Sequence, residues 1–497
     1  MEMSQPNFAV PVGLQYRLSI ADAVPAEHNY SQFLASNASD YTPSNNTVRI
    51  NVSSGSFLDL KNAVLQLDFK NTTSTDAVFL DGGADCSLIS RMLVRSADGS
   101  EIERIDDYGL LSCVLDQYGS SDGDARIKNI QKGAPRFSDE TPIFDEVSGA
   151  SGAAAATATA TATAARTGIK ATVQTTVAAT NSQATVKLEG LGGLGYDQKQ
   201  ADKINTGVTR RYNMGLKLGM FNPSTAKLLP PNTPFQLEIT LRSAADALVN
   251  LAGSNAVDYQ VNNVELHIPS ITVNDNQYMM MVNQRLAQGV SIKCNSYDHF
   301  VNTTASGAGK DVVQISARAR SLKGLMSVYR FQASISSDDD FKISKRSIQF
   351  ISDYQYKVGS NNYPVDKVQL STDTTAGGTA SGTRLPLSST ADLNISEAYN
   401  HVLRLFGSLN NSNANIQIGQ EAYAQSENNN GAGIIAIDLS SFSDGSVNSG
   451  INTLNNMPVS LEFTKTAATN AVVQIDTYAV KELVIMRDGN GVLSSMS

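Results

Sequence analysis

The sequence predicts an all-β protein, and three observations support this prediction: the composition, the spacing of apolar residues and an internal duplication. Apolar residues make up 41% of the 497 residues, charged residues make up only 17%, and Trp is absent. Short runs in which every second residue is apolar recur along the chain between clusters of Gly, Asn, Asp, Ser and Pro. This pattern is typical of the strands of sandwiches and barrels.

The strand candidates occur in both halves of the chain. The clearest are TVRINV (47–52), AVLQLDF (63–69), FQLEITL (235–241), VELHI (264–268), IIAIDL (434–439), VSLEF (459–463) and AVKELVIM (479–486). Successive side chains of a strand point to opposite faces, so the alternation predicts sheets with one buried face.

Helical periodicity is clear in only two segments, residues 105–119 and 394–407. The first has Asp106 or Asp107 as a candidate cap, and Gly119 and Gly407 are predicted to end the two helices. Both segments finish on the same pattern, VLDQYG in the first and VLRLFG in the second.

The shared helix ending is the first of three matches that occur in the same order in both halves. PFQLEIT (234–240) matches PVSLEFT (458–464), and VELHI (264–268) matches KELVI (481–485). Matches in a conserved order indicate a duplication. One copy is predicted to end near residue 275 and the other at the C-terminus.

The first copy is longer between its helix and its next matched strand. This excess contains the Ala/Thr tract of residues 152–168, followed by two alternating runs at 169–191 that predict a hairpin. Long additions cost least in surface loops. We therefore predict a surface insertion at about residues 150–205.

Each copy holds about eight candidate strands and one helix. The sequence thus predicts two tandem eight-stranded jelly rolls, with a short helix in each and a long loop insertion in the first. The predicted organisation is an N-terminal arm (1–44), a first jelly roll (45–275), a linker (276–290) and a second jelly roll (291–497). We expect the linker to be a short helix whose methionines, Met279 to Met281, pack between the jelly rolls; the alternative is that they form an adaptable contact surface.

Three segments resemble parts of double jelly-roll major capsid proteins. They are ISRMLVRSADGSEIERIDDYGLL (89–111), SDYQYKVGSNNYP (352–364) and IDTYAVKELVIMRDG (475–489). The resemblance is nearest to the capsid proteins of polinton-like viruses and virophages, more distant to those of large eukaryotic DNA viruses, and covers about residues 45 to 490.

The resemblance implies a structural role in a virion. The expected assembly is a homotrimer whose six jelly rolls form a pseudo-hexameric capsomer that tiles an icosahedral shell. Expected partners are neighbouring capsomers, penton and minor capsid proteins, and an internal membrane contacted through other proteins. The alternative is a tandem jelly-roll module that binds a glycan or a receptor, as in a spike or lectin.

No motif indicates an enzyme, and we predict no catalytic, cofactor-binding or metal-binding residue. GSSDG (119–123) places Ser121 in a G-x-S-x-G pattern, but a predicted helix precedes it where the nucleophile elbow needs a strand. GAGKD (307–311) lacks the earlier glycine of a phosphate loop and is interpreted as a turn.

Metal sites are likewise not expected. Residues 120–126 and 336–342 are interpreted as solvated acidic turns, although their carboxylates could bind a hard cation. These carboxylates belong to Asp122, Asp124, Asp338, Asp339 and Asp340. No two of the four histidines, His28, His267, His299 and His401, have the close spacing of a zinc site.

Charge and targeting signals limit the remaining possibilities. The net charge is −9 and the first thirty residues contain no basic cluster, so direct nucleic-acid binding is not expected. Neither a signal peptide nor an apolar run long enough to span a membrane is present, so synthesis in the host cell without secretion is expected. Three cysteines without C-x-x-C spacing are consistent with a reduced compartment.

Overall fold

The computed structural model describes most of the chain. The described residues are 26–120, 122–134, 143–148, 173–177, 183–188, 204–223, 227–250, 257–336, 342–343, 346–348, 350–370, 394–410, 418, 423, 432–441, 449–455, 457–466 and 472–496. Strands predominate among them, which confirms the predicted all-β class.

The first half contains fifteen strands and four α-helices among its described residues. The strands are β1 (Ala26–Leu34), β2 (Asp40–Tyr41), β3 (Thr47–Val52), β4 (Phe57–Leu58), β5 (Val64–Asn71), β6 (Phe79–Leu80), β7 (Ile89–Ser96), β8 (Glu101–Asp106), β9 (Ile143–Ser148), β10 (Val173–Val177), β11 (Gln183–Leu188), β12 (Thr209–Gly215), β13 (Phe235–Leu241), β14 (Leu248–Val249) and β15 (Tyr259–Val273). The helices are α1 (Ala84–Leu88), α2 (Tyr108–Tyr118), α3 (Asp122–Lys132) and α4 (Ala244–Ala247).

A linking helix, α5 (Asn276–Leu286), leads into the second half. The strands there are β16 (Val290–Thr304), β17 (Gly309–Ile315), β18 (Leu322–Phe331), β19 (Ile351–Val358), β20 (Asn361–Gln369), β21 (Ile434–Asp438), β22 (Val459–Lys465), β23 (Val473–Arg487) and β24 (Leu493–Met496). The helices are α6 (Gln332–Ile335) and α7 (Ser396–Asn410).

The two halves share one strand order. In the first half, one sheet runs β1-β15-β5-β12 and the other β3-β13-β7-β8. In the second half, the sheets run β16-β23-β18-β21 and β17-β22-β19-β20. Taken in chain order, the eight strands of one half occupy the same positions as the eight of the other. The predicted double jelly roll is therefore confirmed, and the two halves have the same topology.

Each half buries apolar residues between its two sheets. Ile50 and Leu237 do so in the first half, and Tyr356 and Leu461 in the second. The alternation seen in the sequence places these side chains on the inner faces, while their neighbours point outward. In β3, for example, burial alternates strictly from Val48 to Val52.

The predicted N-terminal arm is too long. β1 lies within residues 1–44 but pairs with β15 along its whole length, from Ala26 opposite Val273 to Leu34 opposite Glu265. It occupies the same sheet position as β16 in the second half. Residues 26–34 therefore belong to the first jelly roll and not to an arm. Residues 1–25 lie outside the described part of the chain.

One of the two predicted helix ends is correct. α2 ends at Tyr118, and the Gly119 N–H donates to the Leu115 carbonyl. The stop at Gly407 is wrong, because α7 continues to Asn410. Nothing lies within 4 Å of where a Cβ of Gly407 would be, and its φ is not positive. This glycine therefore has no special backbone role and remains inside the helix.

The insertion contains the predicted hairpin. β10 and β11 pair antiparallel, with Val173 opposite Leu188, and β11 also pairs with β9. The Ala/Thr tract of residues 152–168 lies outside the described residues. The position of the insertion on an outer surface remains a prediction.

The linker is helical, as predicted, but two of its three methionines are exposed. Met280 is 73% exposed and Met281 is 58% exposed. The expectation of a buried role for these two side chains is therefore wrong.

Among the described residues, no helix has the length and apolar character needed to cross a membrane.

The glycines of α2 and α7 allow a test of how closely α2 is packed. A Cβ on Gly109 would lie 1.9 Å from the Cys86 carbonyl oxygen. Gly109→Ala should therefore lower the free energy of unfolding by about 3 kcal/mol, because the backbone of α1 or of α2 must move to make room for the added methyl group. Chemical denaturation measures this.

Gly407→Ala in α7 is the matched control. It meets open space and should raise stability by up to about 1 kcal/mol through helix propensity. Equal effects of the two substitutions would contradict the close approach of α2 to α1.

Candidate functional site: the junction between the two halves

Specific contacts join the two halves of the chain at their junction. Helix α2 lies in it, and all of its residues except Leu115 are buried. Tyr118 of α2 stacks on Phe406 of α7 with ring centroids 5.4 Å apart, and its hydroxyl donates to the Ala432 carbonyl at 2.7 Å. The two aromatic residues of the duplicated helix endings therefore meet across the junction.

Charged side chains from both halves meet beside α2. Arg330 of β18 donates to Asp476 of β23 at 2.7 and 2.9 Å, and it also lies 3.3 Å from Asp107, the residue before α2. Asp107 in turn pairs with Arg242, which belongs to the first half. His299 of β16 lies 3.0 Å from Asp476. The network thus links three segments of the second half to two of the first.

The electrostatics favour ionised carboxylates in this network. Burial alone would raise the pKa of Asp476, but the charge of Arg330 and the hydrogen bond with His299 outweigh burial and lower that pKa to about 2. Burial likewise opposes ionisation of Asp107, and the charges of Arg242 and Arg330 lower its pKa. Burial opposes the charge on Arg330, yet Asp476 and Asp107 raise its pKa above its ordinary value.

Glu103 of β8 makes the second polar contact across the junction. Its carboxylate accepts hydrogen bonds from the backbone N–H groups of Gly219 and Met220, at 2.7 and 3.1 Å, and from the Ser296 hydroxyl at 2.8 Å. Burial raises the pKa of Glu103 despite these bonds. A Cβ on Gly219 would lie 2.4 Å from the Asn295 carbonyl oxygen, so the two halves approach here at the level of the backbone.

An open cleft of about 550 Å³ lies along the same junction. Its lining mixes charged groups of both signs: the acids are Glu101, Glu103, Asp106 and Asp298, and the bases are Arg104, Arg318 and Lys481. Two of the acids are paired, since Arg104 lies 2.9 Å from Asp106 and Lys481 lies 2.8 Å from Asp298.

A second buried ionic cluster attaches α3 to α2. Lys132 binds Asp85 at 2.7 Å and also contacts Asp116. Asp116 is reached by Lys128 at 2.5 Å and by Lys217 at 2.9 Å. Burial opposes the ionised form of Asp116, but the lysines outweigh it and hold its pKa well below the ordinary value. The prediction of a solvated turn at 120–126 is therefore wrong in part, because α3 begins at Asp122, and Lys128 and Lys132 later in this helix pair with buried acids.

Both clusters contain groups that could hold a metal ion. The ligand atoms of Asp107, His299 and Asp476 lie within 4.8 Å of one another, as do those of Asp85, Cys86 and Asp116. In each cluster, however, the carboxylates are already bound by arginine or lysine side chains. These cations supply the compensating charge that a metal would bring, so the geometry favours ion-pair networks.

The other candidates from the sequence are scattered. Ser121 and Asp338 to Asp340 lie outside the described residues, and Asp124 is exposed on α3. His267 lies 3.1 Å from Glu265, His28 packs edge-on against Tyr30, and His401 is 4.0 Å from Glu397. The GAGKD turn gives way to β17 at Gly309, where Lys310 pairs with Glu462 at 2.9 Å.

Strand registers show which residues are equivalent in the two halves. Leu34 lies opposite Glu265, and Asn295 lies opposite Glu482. Glu265 and Glu482 are the matched glutamates of VELHI and KELVI. Leu34 of β1 is therefore the equivalent of Asn295, which lies in the junction.

The same reasoning relates β8 to β20. Glu103 lies opposite Val94, which lies opposite Leu237. Tyr363 lies opposite Tyr356, which lies opposite Leu461. Leu237 and Leu461 are the matched leucines of PFQLEIT and PVSLEFT. Tyr363 of β20 is therefore the equivalent of Glu103.

Only one member of each equivalent pair is covered. β16 exposes three of its fifteen residues, whereas β1 exposes seven of nine. The exposed side chains include large apolar ones, since Tyr30 and Leu34 of β1 are 72% and 60% exposed and Val365 of β20 is 82% exposed. The chain therefore presents β1 and β20 as two uncovered counterparts of a contact that it already makes once internally.

No protein-family model matches the sequence, and no curated protein matches it at a significant level. Solved structures do match. A chain of the PBCV-1 virus capsid has a TM-score of 0.56 at 10% identity, covering 96% of this chain and 98% of that one. The present chain has the double jelly-roll fold of capsid proteins.

Two further structures of viral origin extend the likeness. A chain of the Sputnik virophage has a TM-score of 0.54 at 10% identity, covering 100% of this chain and 92% of that chain. The faustovirus major capsid protein has a TM-score of 0.51 at 9% identity, covering 95% and 92% respectively. The resemblance to capsid proteins found in the sequence is thereby confirmed at the level of the fold.

The ionic network at the junction predicts an acid-sensitive contribution to stability. Because the pKa of folded Asp476 is lowered to about 2, its contribution is present above the ordinary value of about 3.9 and is lost as the pH falls towards 2. Between these pH values, the Asp476→Asn variant should lose about 2 kcal/mol less of its unfolding free energy than the wild type loses. Denaturant titrations at several pH values measure the slope.

Val312→Asn, which alters an exposed uncharged side chain on β17, serves as the control and should keep the wild-type slope. If Asp476→Asn and the wild type lost stability in parallel over this range, the buried pairing with Arg330 would not be the source of the acid sensitivity.

Proposed function

We propose that this chain is a major capsid protein that assembles as a homotrimer. The trimer is a pseudo-hexameric capsomer, and capsomers tile an icosahedral shell. The observation that carries the proposal is the pair of exposed strands, β1 and β20, whose equivalents β16 and β8 are already in contact within the chain.

The internal contact provides the pattern for a contact between chains. Within the chain, β8 of the first half lies against β16 of the second half. If the same contact is repeated, β20 of one chain lies against β1 of the next. Such a head-to-tail contact uses two different surfaces, and it forms a closed ring when the rotation between successive units closes.

Three chains supply six equivalent halves to such a ring. Three is the number that the capsid-protein resemblance implies, and repeated use of one contact geometry by all six halves is consistent with it. The exposed Leu34 and Val365 would then be covered, as interface residues of closed oligomers usually are.

The further partners follow from this role. We propose lateral contacts with neighbouring capsomers and contacts with penton and minor capsid proteins, with any inner membrane reached through other proteins, and location in the virion. We also propose two structural domains, the first extending to about residue 275 and the second beginning near residue 291, with an outward insertion at about 150–205.

A non-enzymatic role is part of the proposal. Among the described residues, the buried carboxylates of Asp476 and Asp116 are bound by cations in ion-pair networks, and that of Glu103 is bound by backbone N–H groups and the Ser296 hydroxyl. Their arrangement serves to join segments of the fold.

Single charges placed in the exposed edges test the trimer. Leu34→Asp and Val365→Asp should each leave the fold intact but convert the oligomer to a single chain of 52.9 kDa, because a charge would be buried without a partner at the contact. Light scattering coupled to size-exclusion chromatography measures the mass, and electron microscopy shows whether shells form.

Val312→Asp is the matched control. Val312 is 50% exposed on β17, at the opposite edge of the sheet that contains β20, and this variant should remain trimeric. A wild type that is monomeric and binds a glycan would favour the alternative function of a tandem jelly-roll binding module. Trimers that survive both edge substitutions would refute the proposed contact.

A further inference from the structure

The linking helix α5 carries an apolar surface that nothing among the described residues covers. Met280 and Met281 are 73% and 58% exposed and are adjacent in the helix. Methionine is flexible and polarisable, so it suits contacts with a segment of variable shape. The question is which segment lies on this surface.

The N-terminal segment leaves the sheet next to this helix. Ala26, the first residue of β1, lies opposite Val273, three residues before α5 begins. The Asn274 amide donates to the Glu27 carboxylate at 2.9 Å, which ties the start of β1 to the residues that lead into the helix. Residues 1–25 therefore enter the structure within a few residues of α5.

The sequence of that segment is amphipathic with a period of two. Its apolar residues, which occupy every second position, are Phe8, Val10, Val12, Leu14, Tyr16, Leu18 and Ile20. Arg17 is the only charged residue between positions 8 and 20. Such alternation predicts an extended strand with one apolar face, and that face needs a cover.

The lengths are compatible with docking. Five residues separate Ile20 from Ala26, a distance of up to about 20 Å when extended. The helix of eleven residues is about 16 Å long. The alternating stretch can therefore reach α5 of its own chain and extend along it.

We propose that residues 8–20 dock as an extended segment on α5 of the same chain, with their apolar face covering Met280 and Met281. The attachment at Ala26 gives this segment a high effective concentration beside its own helix. This inference does not depend on the proposed trimer, since the segment and the helix belong to one chain.

Trypsin cleavage of the full-length protein tests the docking. Arg17 is the only lysine or arginine among the first 25 residues. The rate at which trypsin removes residues 1–17 therefore reports how often the segment is released from the helix. Intact mass spectrometry measures this rate. Met280→Glu combined with Met281→Glu adds no tryptic site and should speed cleavage after Arg17 about tenfold, because cleavage follows the released population.

Val312→Glu, at an exposed apolar position on β17, is the control and should leave the rate unchanged. An equal cleavage rate in the wild type and the double variant would overturn the proposal. Protection that disappears on dilution would assign the segment to another copy and would also overturn docking within one chain.

Oxidation of methionine gives a second measurement that does not rely on the double variant folding. Deletion of residues 2–20 should raise the rate at which peroxide oxidises Met280 and Met281 by about fivefold, since access controls this reaction. Met496, which is 37% exposed on β24, serves as the internal reference. Unchanged oxidation of the two helix methionines in the deletion variant would contradict the proposal.

Discussion

Arg330 lies between two carboxylates, the buried Asp476 from its own half and the partly buried Asp107 from the other. Removing a buried charge from its partner is costly, so the pairing holds the start of α2 in one place relative to β18 and β23. Tyr478 supports the same position by donating to the Asp107 carbonyl at 2.9 Å. The relation between the two jelly rolls depends on this contact, because α2 enters the junction directly after Asp107.

The junction also accounts for an asymmetry between two halves of the same topology. β23 buries most of its residues on both faces, whereas the outward residues of its counterpart β15 are mostly not buried. The difference comes from the neighbour, since the first half covers β23 but no described part of the chain covers β1 and much of β15. Burial inside one chain thus indicates which surfaces a further copy would cover.

Much of the fold is predictable from this sequence because a buried face imposes alternation. β3, β13 and β22 contain strict or nearly strict patterns and are found where the alternation predicts them. β1 is missed because most of its residues are exposed, so no apolar face marks it as a strand. Its assignment depends on hydrogen bonds to β15, which lies more than two hundred residues away.

The junction itself is not predictable in this way. Asp107 has the position of a helix cap in the sequence, but its side chain makes no capping hydrogen bond, and it pairs with Arg242 and Arg330 instead. His299 and Asp476 look like ordinary polar residues of strands, and only the folded chain brings them to 3.0 Å. Ion pairs between distant segments leave no local pattern in the sequence. The shared strand order of the two halves does leave one, because matching segments recur in the same order.

The central claim is that the contact between the halves is repeated between chains, and crosslinking tests it most directly. Leu34→Cys and Val365→Cys lie on the two exposed strands, and the three native cysteines are buried, so mild oxidation should reach the introduced cysteines first. In the double variant, mild oxidation should yield disulfide-linked dimers and trimers on a non-reducing gel, while each single variant should stay a single chain. Absence of linked chains in a double variant that is trimeric in solution would contradict the account.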